Sequence, residues 1–305
     1  MGAGTPIICP TGSYEMLCGQ LPTIESTESL MAGAVSIAAV VQASPAELAA
    51  GSGGNLEALN NLAEAVDQRI DLLADDARNS LKSTGGAGPL TKDRVGRLAA
   101  VLDVLFAHEA FCGATDEYDH PRYSDLAYVL HSKRGLPITL SLVVTAVARK
   151  LSVPMVGIGL PGHFLVGMVP HGSPQPEVPL VDAFAGGAIV SAETARKRVE
   201  LTFGPGAFQP RHLQPVSHRQ WLSRMLQNLL HSFERRGLYH HVAATVELQR
   251  VLWPEELHLT RDLGLVLARL GRRQDCIMLL EQYLAESPDD PQFEQLRQLL
   301  NRLAA

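Results

Sequence analysis

The chain has 305 residues, 46% of them apolar, which is enough to bury the core of one large or two ordinary domains and too apolar for a disordered chain. Its formal charge of −6, from 26 Lys plus Arg against 32 Asp plus Glu, gives no basic field for nucleic acid or an anionic bilayer. Cys9, Cys18, Cys112 and Cys276 lie far apart and form no CxxC pair, so neither a disulfide framework nor a zinc ribbon is indicated and a reducing cytoplasm fits.

No Lys or Arg precedes Arg69, which speaks against a secretory or transit signal. The apolar run Leu30 to Val41 is interrupted by Gly33 and Ser36 and is shorter than the roughly 20 residues a membrane span needs, so it reads as a packed helix. Residues 1–54, with Pro6, Pro10 and Pro22 and a closing Gly51-Ser52-Gly53-Gly54, form a leader plus one helix. Leu59, Leu62, Val66, Ile70 and Leu73 then recur at helical spacing, as do Val95, Leu98, Leu102 and Leu105 after the glycines at 85–88. A third helix starts near Tyr123 or Ser124. A fourth runs from Pro137, whose missing N–H suits a first helical turn, to Leu151.

Beyond this the period falls to two, with Val156, Ile158 and Leu160, then Phe164 to Val169, then Val178 to Phe184, so an antiparallel sheet follows the helices. Helices first and strands afterwards make an α+β domain over 55–203. Gly186-Gly187 reads as a tight turn with positive φ. The Pro- and Gly-rich stretch 204–217 reads as a linker, and 218–305 as wholly helical. In that tail Leu263-Gly264, Leu267, Gly271, Cys276, Leu280 and Pro288 fall at tetratricopeptide spacing. Leu229, Phe233, Val242, Val246 and Pro254 repeat the pattern one ~34-residue period earlier. Phe293, Leu296, Leu299, Leu300 and Leu303 form a capping helix.

Three segments converge on chemistry: Arg134-Gly135-Leu136-Pro137-Ile138-Thr139-Leu140-Ser141 at a helix start, Pro161-Gly162-His163-Phe164 leading into a strand, and Val181-Asp182-Ala183-Phe184. A nucleophile at a helix N-terminus, a His on a neighbouring strand to take its proton and an Asp on the next, adjacent antiparallel strand to hold the imidazole is the order used by papain-like enzymes and transglutaminases. No HExxH, GxxxxGK[ST] or GxGxxG occurs, and His240 and His241, adjacent on a helix, point about 100° apart. No metal and no cofactor are expected.

The run from Gly135 to Ser141, the Pro161-Gly-His-Phe-Leu element, Asp182-Ala-Phe-Ala-Gly-Gly187, Arg224-Met-Leu-Gln-Asn-Leu229 and Arg261-Asp-Leu-Gly264 together resemble bacterial SirB-type proteins. These join a transglutaminase-like domain to a tetratricopeptide-like tail. The resemblance covers about Val101 to Leu303 and implies a papain/transglutaminase-like α+β domain followed by an all-α domain. Tyr123 departs from it, standing where such proteins usually carry Asn.

The resemblance also implies that His163 and Asp182 match the general base and its orienting acid. The nucleophilic Cys position falls on Pro137 when matched from Gly135, or on Ile138 when counted back from Ser152 to Pro154, and neither is a nucleophile. Thr139 and Ser141 are the nearby hydroxyls, and Cys112 is a thiol from elsewhere. The leading expectation is therefore a non-catalytic or regulatory scaffold that binds a protein or peptide through its helical tail and a relic cleft, with no nucleic acid and no membrane partner. The alternative is a cysteine-independent hydrolase or acyltransferase on protein amides using Thr139 or Ser141 with His163 and Asp182.

Overall fold

The computed structural model describes residues 5–50, 54–83, 93–169 and 177–304. In chain order the helices are α1 (Thr11–Gln20), α2 (Thr27–Gln42), α3 (Pro45–Ala50), α4 (Leu56–Ser83), α5 (Arg94–Leu102), α6 (Leu126–Ser132) and α7 (Pro137–Lys150). After the sheet come α8 (Ala192–Phe203), α9 (His218–Arg235), α10 (Tyr239–Leu252), α11 (Leu257–Arg269), α12 (Arg273–Glu286) and α13 (Phe293–Ala304). Two short strands, β1 (Cys112–Gly113) and β2 (Arg134–Gly135), pair in parallel. The main sheet is β3 (Met155–Ile158), β4 (Leu165–Met168), β5 (Glu177–Asp182) and β6 (Ala188–Val190), antiparallel throughout in the order β3-β4-β5-β6. This is the α+β arrangement expected, with an all-α tail.

Local chemistry explains the boundaries that position the cleft. The third helix begins at Leu126 because Asp125 caps it, its carboxylate accepting from the Tyr128 N–H at 3.1 Å. Tyr123 and Ser124 instead lie in a preceding 3₁₀ turn. Helix α6 ends on Lys133 in the left-handed region (φ 61°). Helix α7 starts at Pro137, and Ser152 (φ 60°) followed by Pro154 stops it. Every residue from Pro137 to Ala148 is buried, so α7 is covered on all sides and reads as apolar around its circumference rather than as a stripe.

The chain divides into two packed units. The larger comprises the described residues of Ile24–Met31 and Asn61–Met225. In it Ile158, Leu160, Leu165 and Leu180 pack with Val190 and with Ala195 and Val199 of α8. The stretch read as a linker closes this core, with Ala207, Phe208 and Leu213 against the same cluster and the Val216 N–H donating to the Gly157 carbonyl at 2.9 Å. Gly157 has no room for a side chain, since a Cβ there would sit 2.6 Å from the Trp221 ring and 2.7 Å from Phe164.

The second unit comprises the described residues of Met1–Thr23, Ala32–Asn60 and Leu226–Ala305. Much of the segment read as a leader packs here, with α1 and α3 against α10. Glu247 of α10 accepts hydrogen bonds from the backbone N–H groups of Ile7 (2.6 Å), Ile8 (2.9 Å) and Cys9 (2.7 Å). Between His218 and Ala304 the five helices α9 to α13 follow one another with no strand among the described residues, as the repeat register requires. Gly264 of α11 permits the close approach of α12, since a Cβ there would meet Leu280 at 2.9 Å, and Cys276 fills the buried small-residue position. Among the described residues no helix is long and apolar enough to cross a membrane.

Candidate functional site

The site is built on the loop between β3 and β4. Gly162 takes φ 67°, the His163 N–H donates to the Leu160 carbonyl at 3.2 Å, and the turn presents the imidazole two residues ahead of β4. Arg224 fixes this turn from behind: its guanidinium donates to the carbonyls of Leu160 (2.9 Å) and His163 (3.1 Å) and lies 5.2 Å from the Phe164 ring centre. Asp182 is the last residue of β5, the strand paired antiparallel with β4.

Strand order and register bring the two side chains together. His163 Nε2–H donates to Asp182 Oδ1 at 3.0 Å, with 12% of the His side chain and 1% of the Asp side chain exposed. The expectation placed both residues on strands, and only Asp182 is on one. The same Oδ1 accepts the backbone N–H groups of Phe184 and Ala185, each at 3.1 Å, while Oδ2 accepts from Arg198 of α8. Burial pushes the Asp182 carboxyl up, but hydrogen bonds and charge from His163 and Arg198 outweigh it and hold it at about 2. The carboxylate is therefore ionised and acts as the acceptor for the ring Nε2–H. Among the described residues Nδ1 has no hydrogen-bond partner.

An aromatic wall covers the ring. Phe184 meets it edge to face with centres 6.2 Å apart, and Tyr118 meets Phe184 in the same way at 5.8 Å. Gly113 lies directly under Phe184, where a Cβ would approach the ring to 2.6 Å, and the half-exposed Phe203 lies against Gly162. The neighbouring Cys112 is exposed.

The two positions matched to a nucleophile, Pro137 and Ile138, are buried in the first turn of α7. Thr139 and Ser141 are 0% exposed, and their hydroxyls make no hydrogen bond among the described residues, with His163 or with anything else. The structure thus joins His163 to Asp182 and leaves both hydroxyls out of hydrogen-bond contact with the ring. Sequence reading did not pick out Arg198 or Tyr118, and it quoted Phe184 and Arg224 without giving either a role. Ser191 before Ala192-Glu193 is an N-cap signature that marks α8, the helix carrying Arg198. Among the described residues no group of three or more His, Cys, Asp or Glu is placed to hold a metal.

Comparison with known proteins agrees with this layout. Residues 64–227 match the transglutaminase-like superfamily and residues 229–301 match the tetratricopeptide repeat. A UPF0162 protein of Xylella fastidiosa is 32% identical over 206 residues, which cover 66% of this chain and 72% of that protein. A UPF0162 protein of Vibrio cholerae is 27% identical over 214 residues, 70% of this chain and 78% of the relative. F-box only protein 21 of Mus musculus is 26% identical over 170 residues, 53% of this chain and 26% of that protein. No solved structure matches the chain.

Proposed function

The chain belongs to the UPF0162 family of transglutaminase-like proteins and carries a tetratricopeptide tail, and from that premise we propose that it is a non-catalytic scaffold. Its transglutaminase-like cleft is a relic that receives a peptide or side chain, and its tail, a helical repeat of a kind typical of protein interaction, recruits a protein partner. The proposed place of action is the cytoplasm, where the free thiols of all four cysteines would remain reduced.

One observation carries this reading: the only hydrogen-bond partner of the His163 ring among the described residues is a carboxylate. Acyl transfer at an amide needs a thiol or hydroxyl whose proton the imidazole can take, within about 3.2 Å of it. The burial of Thr139 and Ser141, and the absence of any bond from either to His163, favour the scaffold over a hydroxyl-dependent hydrolase.

Turnover tests the proposal. Purified full-length protein, supplied with dimethylcasein and a fluorescent primary amine, should incorporate no amine and release no ammonia above the level of His163→Ala. Crosslinking in living cells should recover the same protein partner with either form. Amide turnover that falls by about 10²-fold or more in His163→Ala, the size expected for loss of a general base, would overturn the proposal.

A further inference from the structure

Helices α4 and α6 leave a cleft of about 440 Å³ between them, within the range of small-molecule sites. Its walls are apolar, formed by Leu62, Ala65 and Val66 on one side and Ala127 and Leu130 on the other. The lining also carries His131 and two cations, Arg69 and Lys133. Both point their charge at a single oxygen, Glu109 Oε2, at 2.7 and 2.8 Å.

The pairing leaves one positive charge in excess. Arg presents five N–H donors and Lys three, and among the described residues neither has a partner besides Glu109. Glu109 itself stays ionised, since the Lys133 hydrogen bond, opposed by burial and helped by Arg69, holds its carboxyl below the ordinary range. Lys133, itself one of the two cations, and Ala110, next to Glu109 in the chain, both adopt left-handed conformations (φ 61° and 59°) that cost energy in a residue other than glycine. An apolar trough with surplus N–H donors at its edge complements a molecule with an apolar body and one anionic head.

We propose that the cleft between α4 and α6 binds a small free monocarboxylate with an alkyl or aryl body, its carboxylate on Arg69 and Lys133 and its body against Leu62, Val66, Ala127 and Leu130. A volume of about 440 Å³ matches a small free acid, and the two donors favour a carboxylate over an alcohol of the same length.

Isothermal titration of the purified full chain with hexanoate, octanoate, decanoate and 1-octanol tests this. Affinity should rise about fourfold per methylene until the cleft is filled, with octanol at least about tenfold weaker than octanoate. Lys133→Met should weaken octanoate by about tenfold. Ala127→Phe, and independently Ala65→Phe from the opposite wall, should abolish binding while the circular-dichroism melt stays that of the parent. Octanol binding as well as octanoate, octanoate unaffected by both cleft-filling variants, or no octanoate binding at millimolar concentration would each overturn the assignment. So would binding of a peptide with a C-terminal leucine carboxylate in place of the free acids.

Discussion

Asp182→Ala is expected to lower folding stability by about 3 kcal/mol or more, because truncating one member of a buried ion pair strands the others. The carboxylate is 1% exposed and serves four donors: the His163 ring, the Phe184 and Ala185 backbones, and Arg198. Each donor left without an acceptor in the interior costs roughly 1 to 3 kcal/mol. Arg198, with 39% of its side chain exposed, contributes least, since water can replace its partner. The pH dependence has a definite sign. The folded carboxyl titrates at about 2 and an unfolded Asp at about 3.9, so the ionised group contributes stability in full above the unfolded value. That contribution, about 2 kcal/mol, is lost as pH falls from about 4 to about 2. Urea unfolding of wild type and Asp182→Asn across this range measures it: the two stabilities should converge on acidification. A gap that is constant with pH would mean that the carboxylate is not held by its partners as described.

Glu247→Ala should have an effect of similar size in the other unit and a chemical signature that the Asp182 variant lacks. Glu247 is 3% exposed and its carboxylate takes three consecutive backbone N–H groups, those of Ile7, Ile8 and Cys9. Alanine would leave these donors without an acceptor, at a combined cost of about 3 kcal/mol, and release this segment from α10. Cys9, 0% exposed, has a thiol pushed well above its ordinary value by burial first and by the Glu247 carboxylate second. It should therefore resist iodoacetamide in the native parent and become alkylated in Glu247→Ala through local opening. Peptide mapping of the labelled protein identifies the site. Continued protection of Cys9 in the variant would show that apolar packing alone holds the segment.

Much of the cleft could be read from the sequence because its parts are local. Pro137 and the Ser152-Val-Pro154 stop delimit α7, and the change to a period of two places His163 and Asp182 near paired strands. The tail was legible for the same reason, since repeat spacing is a local property and Gly264, Cys276 and Pro288 hold register. What escaped depends on distance along the chain. Glu247 meets Ile7 across 240 residues, and no periodicity in either segment announces a carboxylate that chelates backbone N–H groups. Arg198 lies on a helix whose polar surface looks like any solvated face, and only the fold shows that one of its cations turns inward to Asp182. The aromatic wall escaped because Tyr118, Phe184 and Gly113 come from separate segments that meet only in three dimensions.

The proposed absence of a working nucleophile beside His163 is tested most directly by covalent labelling of the native protein, read by intact mass and peptide mapping. A fluorophosphonate reports activated hydroxyls and iodoacetamide reports thiols, each applied to wild type and to His163→Ala. The expected result is no fluorophosphonate adduct on Thr139 or Ser141, and alkylation of the exposed Cys112 at the same rate in both proteins. An adduct on Thr139, Ser141 or Cys112 that forms in wild type and disappears in His163→Ala would contradict the proposal, because it would show the imidazole activating a nucleophile.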